Sequence, residues 1–357
     1  MIETKHISQF NSNILKKPFG VMPNGESVCL HHLINENGME LHLIDYGATV
    51  TAIKIPLKNG KLIDVALGFE TLDNYIDSFN LPAAPYFGAT VGRFAGRINN
   101  GALSLNGKMF QLDQNNNQHT LHGGTKGFSQ TIWKAEECQT YEGLGITFSH
   151  FSPNNDAYFP GNLEVKVTYI LTENNEIKIK YHAVSDQDTV INLTHHSYFN
   201  LDGHQGDIKN QDLFVDAAFV LETNNENIPT GRVLDLSQHL FQFNPPKKCP
   251  LTIDNTFVLQ ANSKLASSLS SAKNGIKMNV YTDQPSVHIY VGGNCFNKIE
   301  GKDKANYHAL SGICFETQNF PDAPNHAHFP NAVLRKDEFY TQQTIYKFEM
   351  LALENDI

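Results

Sequence analysis

The most restrictive feature of this sequence is a strict two-residue rhythm carried across a turn. From Leu163 to Leu171 the odd positions read Leu, Val, Val, Tyr, Leu, and the even ones begin Glu164, Lys166, Thr168. After the polar stretch Thr172 to Glu176, Ile177, Ile179, Tyr181 and Ala183 alternate with Lys178, Lys180 and His182. A period of two sends successive side chains to opposite faces of an extended chain, whereas a helix would scatter them around its axis. Two such runs joined by a short polar turn predict an antiparallel hairpin with one face buried.

The rhythm recurs. Met39 to Leu57, Val190 to Leu201, Leu213 to Leu221, Ile276 to Thr282, Ser286 to Val291 and Phe339 to Met350 all read as strands, separated by Gly, Asn, Asp and Pro clusters. Helical periodicity is scarce, and Ser263 to Ala272 holds one short helix or none. No repeat, low-complexity tract or linker-like break divides the chain. Its 357 residues include 23 Phe and 13 Tyr, enough to fill a substantial core. The expectation is all-β: one domain over residues 1–357, built as a large antiparallel β-sandwich.

Charge narrows the partners. With 37 acids against 27 bases the formal charge is −10, and no basic cluster exceeds Lys247–Lys248. Such a surface repels phosphate backbones, so no nucleic-acid partner is expected. No apolar run approaches the roughly 18 residues of a membrane span, so no membrane partner is expected either. Met1 to Phe10 carries Glu3, Lys5 and His6 without an apolar stretch, which does not read as a secretory signal and favours the cytoplasm. The five cysteines, Cys29, Cys138, Cys249, Cys295 and Cys314, are odd in number and widely spaced, and read as isolated reduced thiols.

Polar residues cluster in a few places between the apolar runs. Tyr86 to Ile98 sets Arg93 and Arg97 among glycines, either as fixed donors to a ligand's oxygens or as surface arginines on a turn. In His119 to Gly124, His122 precedes two glycines; the spacing to His119 lacks the third ligand that a metal site needs. Val190 to Leu201 holds His195 and His196, which point to opposite faces of a strand, so at most one meets a given cleft. Imidazole suits proton donation near neutrality. Glu316 ends an apolar strand approach before a Pro-rich turn, as a strand-end base flanked by Phe315 or a solvated strand-end carboxylate. Asp254 precedes an apolar run and taken alone is a turn residue. In Ser286 to Val291, Val287, Ile289 and Val291 share one face, leaving His288 and Tyr290 on the other.

Taken together and in order, the segments FGATVGRFAGRI, LHGG, NLTHHSYFNL, DNTFVL, QPSVHIYVGG and GICFETQNFPDAPNH resemble the aldose 1-epimerase family from about Tyr46 to Phe348. The resemblance implies a β-supersandwich with a small-molecule aldose in an open cleft, no organic cofactor and no catalytic metal. Carried over by position, Glu316 looks like the general base and His196 like the general acid. Arg93, His122 and Asp254 look like holders of the sugar hydroxyls and the ring-oxygen region, with Arg97 left unassigned. Three positions depart from the family pattern: His195 and Gly96 stand where Asn is usual, and His288 stands where Gln is frequent. The departures bear on which hexose is preferred, and His288 is expected to contact the sugar. Two rival readings within the fold are a sugar-phosphate 1-epimerase, which needs extra basic residues, and a carbohydrate-binding sensor, which needs no matched acid and base. A zinc hydrolase using the histidines is a third.

Overall fold

The computed structural model describes residues 14–260, 265–294 and 298–351. The readings placed on Met1–Phe10, Ser263 and Cys295 lie outside these residues. Strands Leu163–Thr172 and Glu176–Ser185 form the expected antiparallel hairpin, with Leu163 opposite Ser185 and Leu171 opposite Ile177. Val165, Val167 and Tyr169 are buried while Glu164 and Lys166 face solvent, as the alternation requires. This hairpin sits within a nine-stranded sheet, between Gly143–Ser152 and Phe339–Met350.

Two further large sheets join it, beside four two-stranded ones among the described residues. Ile14–Val21, Ser27–Ile34, Glu40–Ile44, Thr49–Pro56 and Leu62–Asp64 form a five-stranded meander in chain order. A six-stranded sheet runs in the order Tyr198–Phe199, Ile313–Gln318, Ser286–Val291, Asp254–Leu259, Ala217–Thr223, Pro229–Asp235. One continuous apolar cluster takes Leu41 and Ile53 from the first, Val167 and Ile179 from the nine-stranded sheet, and Ile289 and Phe315 from the second. Each such buried side chain contributes about 1.5–3 kcal/mol, so the inner faces hold the layers together. The only tryptophan, Trp133, belongs to this core, and its indole N–H donates to the Phe128 carbonyl at 3.0 Å.

Local departures from the sequence expectation have physical reasons. Within Ser263–Ala272, Ser267–Ser271 is a strand paired with Ile276–Thr282, its small residues fitting a crowded layer. Leu72–Ser78 is a helix not expected from the sequence; the Thr71 side chain caps it by accepting the Asn74 N–H, and Leu72 and Tyr75 bury one side. Met39–Leu57 is two strands divided at Gly47, whose φ of 67° suits glycine. Val190–Leu201 breaks into short pairings with three different partners: Val333–Leu334, Thr90–Val91 and Ile313–Cys314. No helix among the described residues is long and apolar enough to cross a membrane. Cys29, Cys138, Cys249 and Cys314 form no disulfide among the described residues.

Candidate active site

The six-stranded sheet has one face in the core and one face in a cleft. Val287, Ile289 and Phe315 point inward. The residues between them therefore point the other way, and register aligns them: Glu316 lies opposite His288, and His288 opposite Thr256. The neighbouring row sets Cys314 opposite Tyr290 and Tyr290 opposite Asp254. From these two cross-strand rows Thr256, His288, Glu316, Asp254 and Tyr290 line the floor of a cavity of about 350 Å³, within the range of small-molecule sites, while Cys314 packs into an apolar cluster beneath it. A larger groove of about 690 Å³, near Asp283 and Glu338, has no histidine in its lining.

The short pairing at Thr194–His195 aims the two adjacent histidines apart. His196 enters the cleft, and its Nε2 lies 3.6 Å from Glu316 Oε1. Both residues are almost fully buried, at 4% and 3% exposure, and Glu316 Oε2 has no hydrogen-bond partner among the described residues. An unpaired buried carboxylate oxygen is costly, and a ligand hydroxyl donating to it would remove that cost. His196 Nδ1 faces the Cys314 thiol at 3.7 Å. His195 points into the body, where its Nε2 meets the Ser197 hydroxyl at 2.7 Å and its Nδ1 lies 3.4 Å from the Tyr169 hydroxyl. Burial, reinforced by His196, lowers its pKa to about 3, so it is a neutral packing residue.

His122 is presented on the loop as the glycines suggest. Its φ is 52°, an unusual left-handed conformation for a side-chain-bearing residue. A Cβ on Gly123 would lie 2.1 Å from the Gly92 carbonyl oxygen, so only glycine fits there. His122 Nδ1 accepts the Gly96 N–H at 3.2 Å, which leaves Nε2 as the protonated, donating nitrogen of the neutral ring. Burial, and then the charges of His196, Arg97 and His288, hold its pKa well below the ordinary histidine value. Tyr86 stacks edge-on against this ring at 4.9 Å and lies 5.7 Å from that of His196.

Asp254 and His288 form a bonded pair. His288 Nε2 lies 2.9 Å from Asp254 Oδ1, and Nδ1 lies 2.8 Å from the Thr256 hydroxyl. Asn227 donates to Asp254 Oδ2 at 3.0 Å. Burial works against both charges, but the pairing outweighs it: His288 is raised and Asp254 lowered from their ordinary pKa values. Both His288 nitrogens are thus engaged by the protein, which makes it first a holder of Asp254.

One sequence expectation is overturned by geometry. Arg93 does not line the cleft. Its Nη1 donates to the Pro160 and Gly161 carbonyls at 2.9 and 3.0 Å, and Nη2 to the Ser152 carbonyl at 3.1 Å. At 2% exposure it is a buried tie for the segment around Ser152–Gly161. Arg97, left unassigned from the sequence, is the arginine in the cleft; its Nε donates to Asn116 Oδ1 at 3.1 Å, and its guanidinium makes no salt bridge among the described residues. Four residues of offset in an irregular turn decided this, and no periodicity there could have told the two apart. The same face also carries Tyr290 and, two residues beyond Glu316, Gln318 opposite Ser286, both of which alternation from His288 and Glu316 does foretell, whereas Asn116 and Asn227 come from loops without a sequence signal.

One acid and one base side by side can act on two oxygens of the same carbon. The ligand atoms of His122, His196 and Glu316 also lie within 4.8 Å of one another, so this trio could accept a divalent cation, which would occupy the atoms that proton transfer needs. The model of the family described as aldose 1-epimerase matches residues 30–347. Galactose mutarotase from Bos taurus is 33% identical over 349 residues, covering 95% of this chain and 99% of that protein. Aldose 1-epimerase from Haemophilus influenzae is 36% identical over 346 residues, covering 92% and 97%. Among solved structures, an aldose epimerase homologue from C. elegans superposes with a TM-score of 0.82 at 30% identity, over 90% of this chain and 98% of that one.

Proposed function

The chain belongs to the aldose 1-epimerase family and interconverts the α and β anomers of free aldohexoses, and we propose that Glu316 and His196 carry out the proton transfers. The observation that carries this reading is their 3.6 Å separation in the cleft, with Glu316 Oε2 accepting no hydrogen bond among the described residues. Glu316 takes the proton of the C1 hydroxyl while His196, as imidazolium, delivers one to the ring oxygen. The C1–O5 bond breaks, its electron pair stays on O5, and C1 becomes an aldehyde. Rotation about C1–C2 turns the other carbonyl face toward O5. Closure then reverses both transfers, returning a proton from Glu316 to the C1 oxygen and one from O5 to His196.

The remaining groups hold the sugar through that rotation. Arg97 and the neutral His122 donate to oxygens, and Asp254, fixed by His288 and Asn227, accepts from hydroxyls. Holding an open chain ready to reclose is itself a large part of such catalysis. Polarimetry on freshly dissolved α-D-glucose and α-D-galactose, with spontaneous mutarotation subtracted, tests the reading. Rates lowered in folded Glu316→Gln and His196→Asn support it. A folded Glu316→Gln with wild-type kcat would remove Glu316 as the base and turn attention to Asp254.

A further inference from the structure

We propose that His32, Glu40 and His42 form a binding site for a zinc-like divalent cation on the five-stranded sheet, separate from the cleft. His32 and His42 are direct cross-strand partners, and their rings are 4.1 Å apart. Glu40 is two residues from His42 and so shares its face. A single carboxylate oxygen, Oε2, lies 3.2 Å from His32 Nε2 and 3.1 Å from His42 Nε2. Tetrahedral bonds of about 2.0–2.1 Å place neighbouring ligand atoms roughly 3.3 Å apart, close to both spacings. All three ligand atoms fall within 4.8 Å of one another.

A second observation concerns the shared oxygen. His32 Nε2 is buried, and Glu40 Oε2 at 3.2 Å faces it and His42 Nε2 together, so one carboxylate oxygen serves two imidazoles where a cation would give each nitrogen its own bond. Two imidazoles and one carboxylate are a donor set suited to zinc, with a fourth position left for water. Lys54 is paired with Glu40 across the neighbouring strand and brings its Nζ to 3.5 Å from the same Oε2. Its ammonium supplies the positive charge that a cation would otherwise bring, so it competes for the site. None of these four residues lines the cleft.

Calorimetric titration of the full chain with Zn²⁺ tests the site, in a His122→Asn background that removes one member of the cleft trio. One equivalent should bind. His32→Gln and His42→Gln should each weaken binding by about tenfold or more, and Lys54→Met should strengthen it. In the otherwise native chain His32→Gln should leave mutarotation unchanged. The Lys54→Met gain keeps the test open if a histidine variant folds poorly. No uptake at about millimolar Zn²⁺, or uptake equal in the His32→Gln and His42→Gln variants, would overturn the proposal.

Discussion

Arg93 and Arg97 are four positions apart and have opposite surroundings, so substitution should separate them cleanly. Arg97→Lys replaces a fork of donors with a point charge at the sugar, and KM should rise more than kcat falls. Arg93→Met should leave three backbone carbonyls short of a donor and lower stability by about 3 kcal/mol, with KM little changed in the folded fraction. Thermal melts beside steady-state polarimetry would check both; a raised KM without a lowered Tm for Arg93→Met would contradict the assignment. For the proton-transfer pair, Glu316→Gln and His196→Asn should each reduce kcat by roughly 10²–10⁴-fold. The double variant should lose less than the product, because both groups serve one ring-opening step. The Asp254–His288 pair sets a pH window. His288 is raised, so its contribution is full below the ordinary histidine pKa and fades as pH climbs through its folded value. Asp254 is lowered, so its contribution is present above the ordinary aspartate pKa and fades as pH falls through its folded value. The Tm difference between the native protein and His288→Gln should therefore shrink on the alkaline side.

At the scale of elements, strands do most of the positioning and loops do the rest. Glycine at 123 lets the loop pass under the Gly92 carbonyl while holding His122 aloft. Gly123→Ala, at a φ of 87°, should cost more than about 1 kcal/mol and displace the His122 ring, visible as a lower Tm and a higher KM. This scale also explains what was legible in the sequence. Alternation revealed the hairpin at Leu163–Ser185, the inward set Val287, Ile289 and Val291, and the outward His288, because a period of two fixes the face of every residue in a regular strand. It also separated His195 from His196. It could not divide Val190–Leu201 into three pairings, since partners distant in sequence chose those breaks. Nor could it favour Arg97 over Arg93 in a turn where each φ is set locally. The helix Leu72–Ser78 is only seven residues, too short for its periodicity to stand out.

The three sheets share one apolar cluster, so the molecule should unfold as a unit. Trp133 sits in that cluster and is the only tryptophan, which makes its emission a reporter of the whole core. Its transition should coincide with loss of far-ultraviolet strand signal in urea; two separated midpoints would mean that the sheets part company before the chain unfolds. The two polar rows on the cleft floor carry a consequence of a different kind. Thr256 and His288 share one rung of a rigid ladder beside the reacting pair, and Tyr290 and Gln318 stand on the rungs to either side. Exchanging them leaves the backbone register untouched while altering which hydroxyl pattern is read. A library varied only at these rungs would sample new sugar preferences on an unchanged reaction, as interchangeable type in a fixed press.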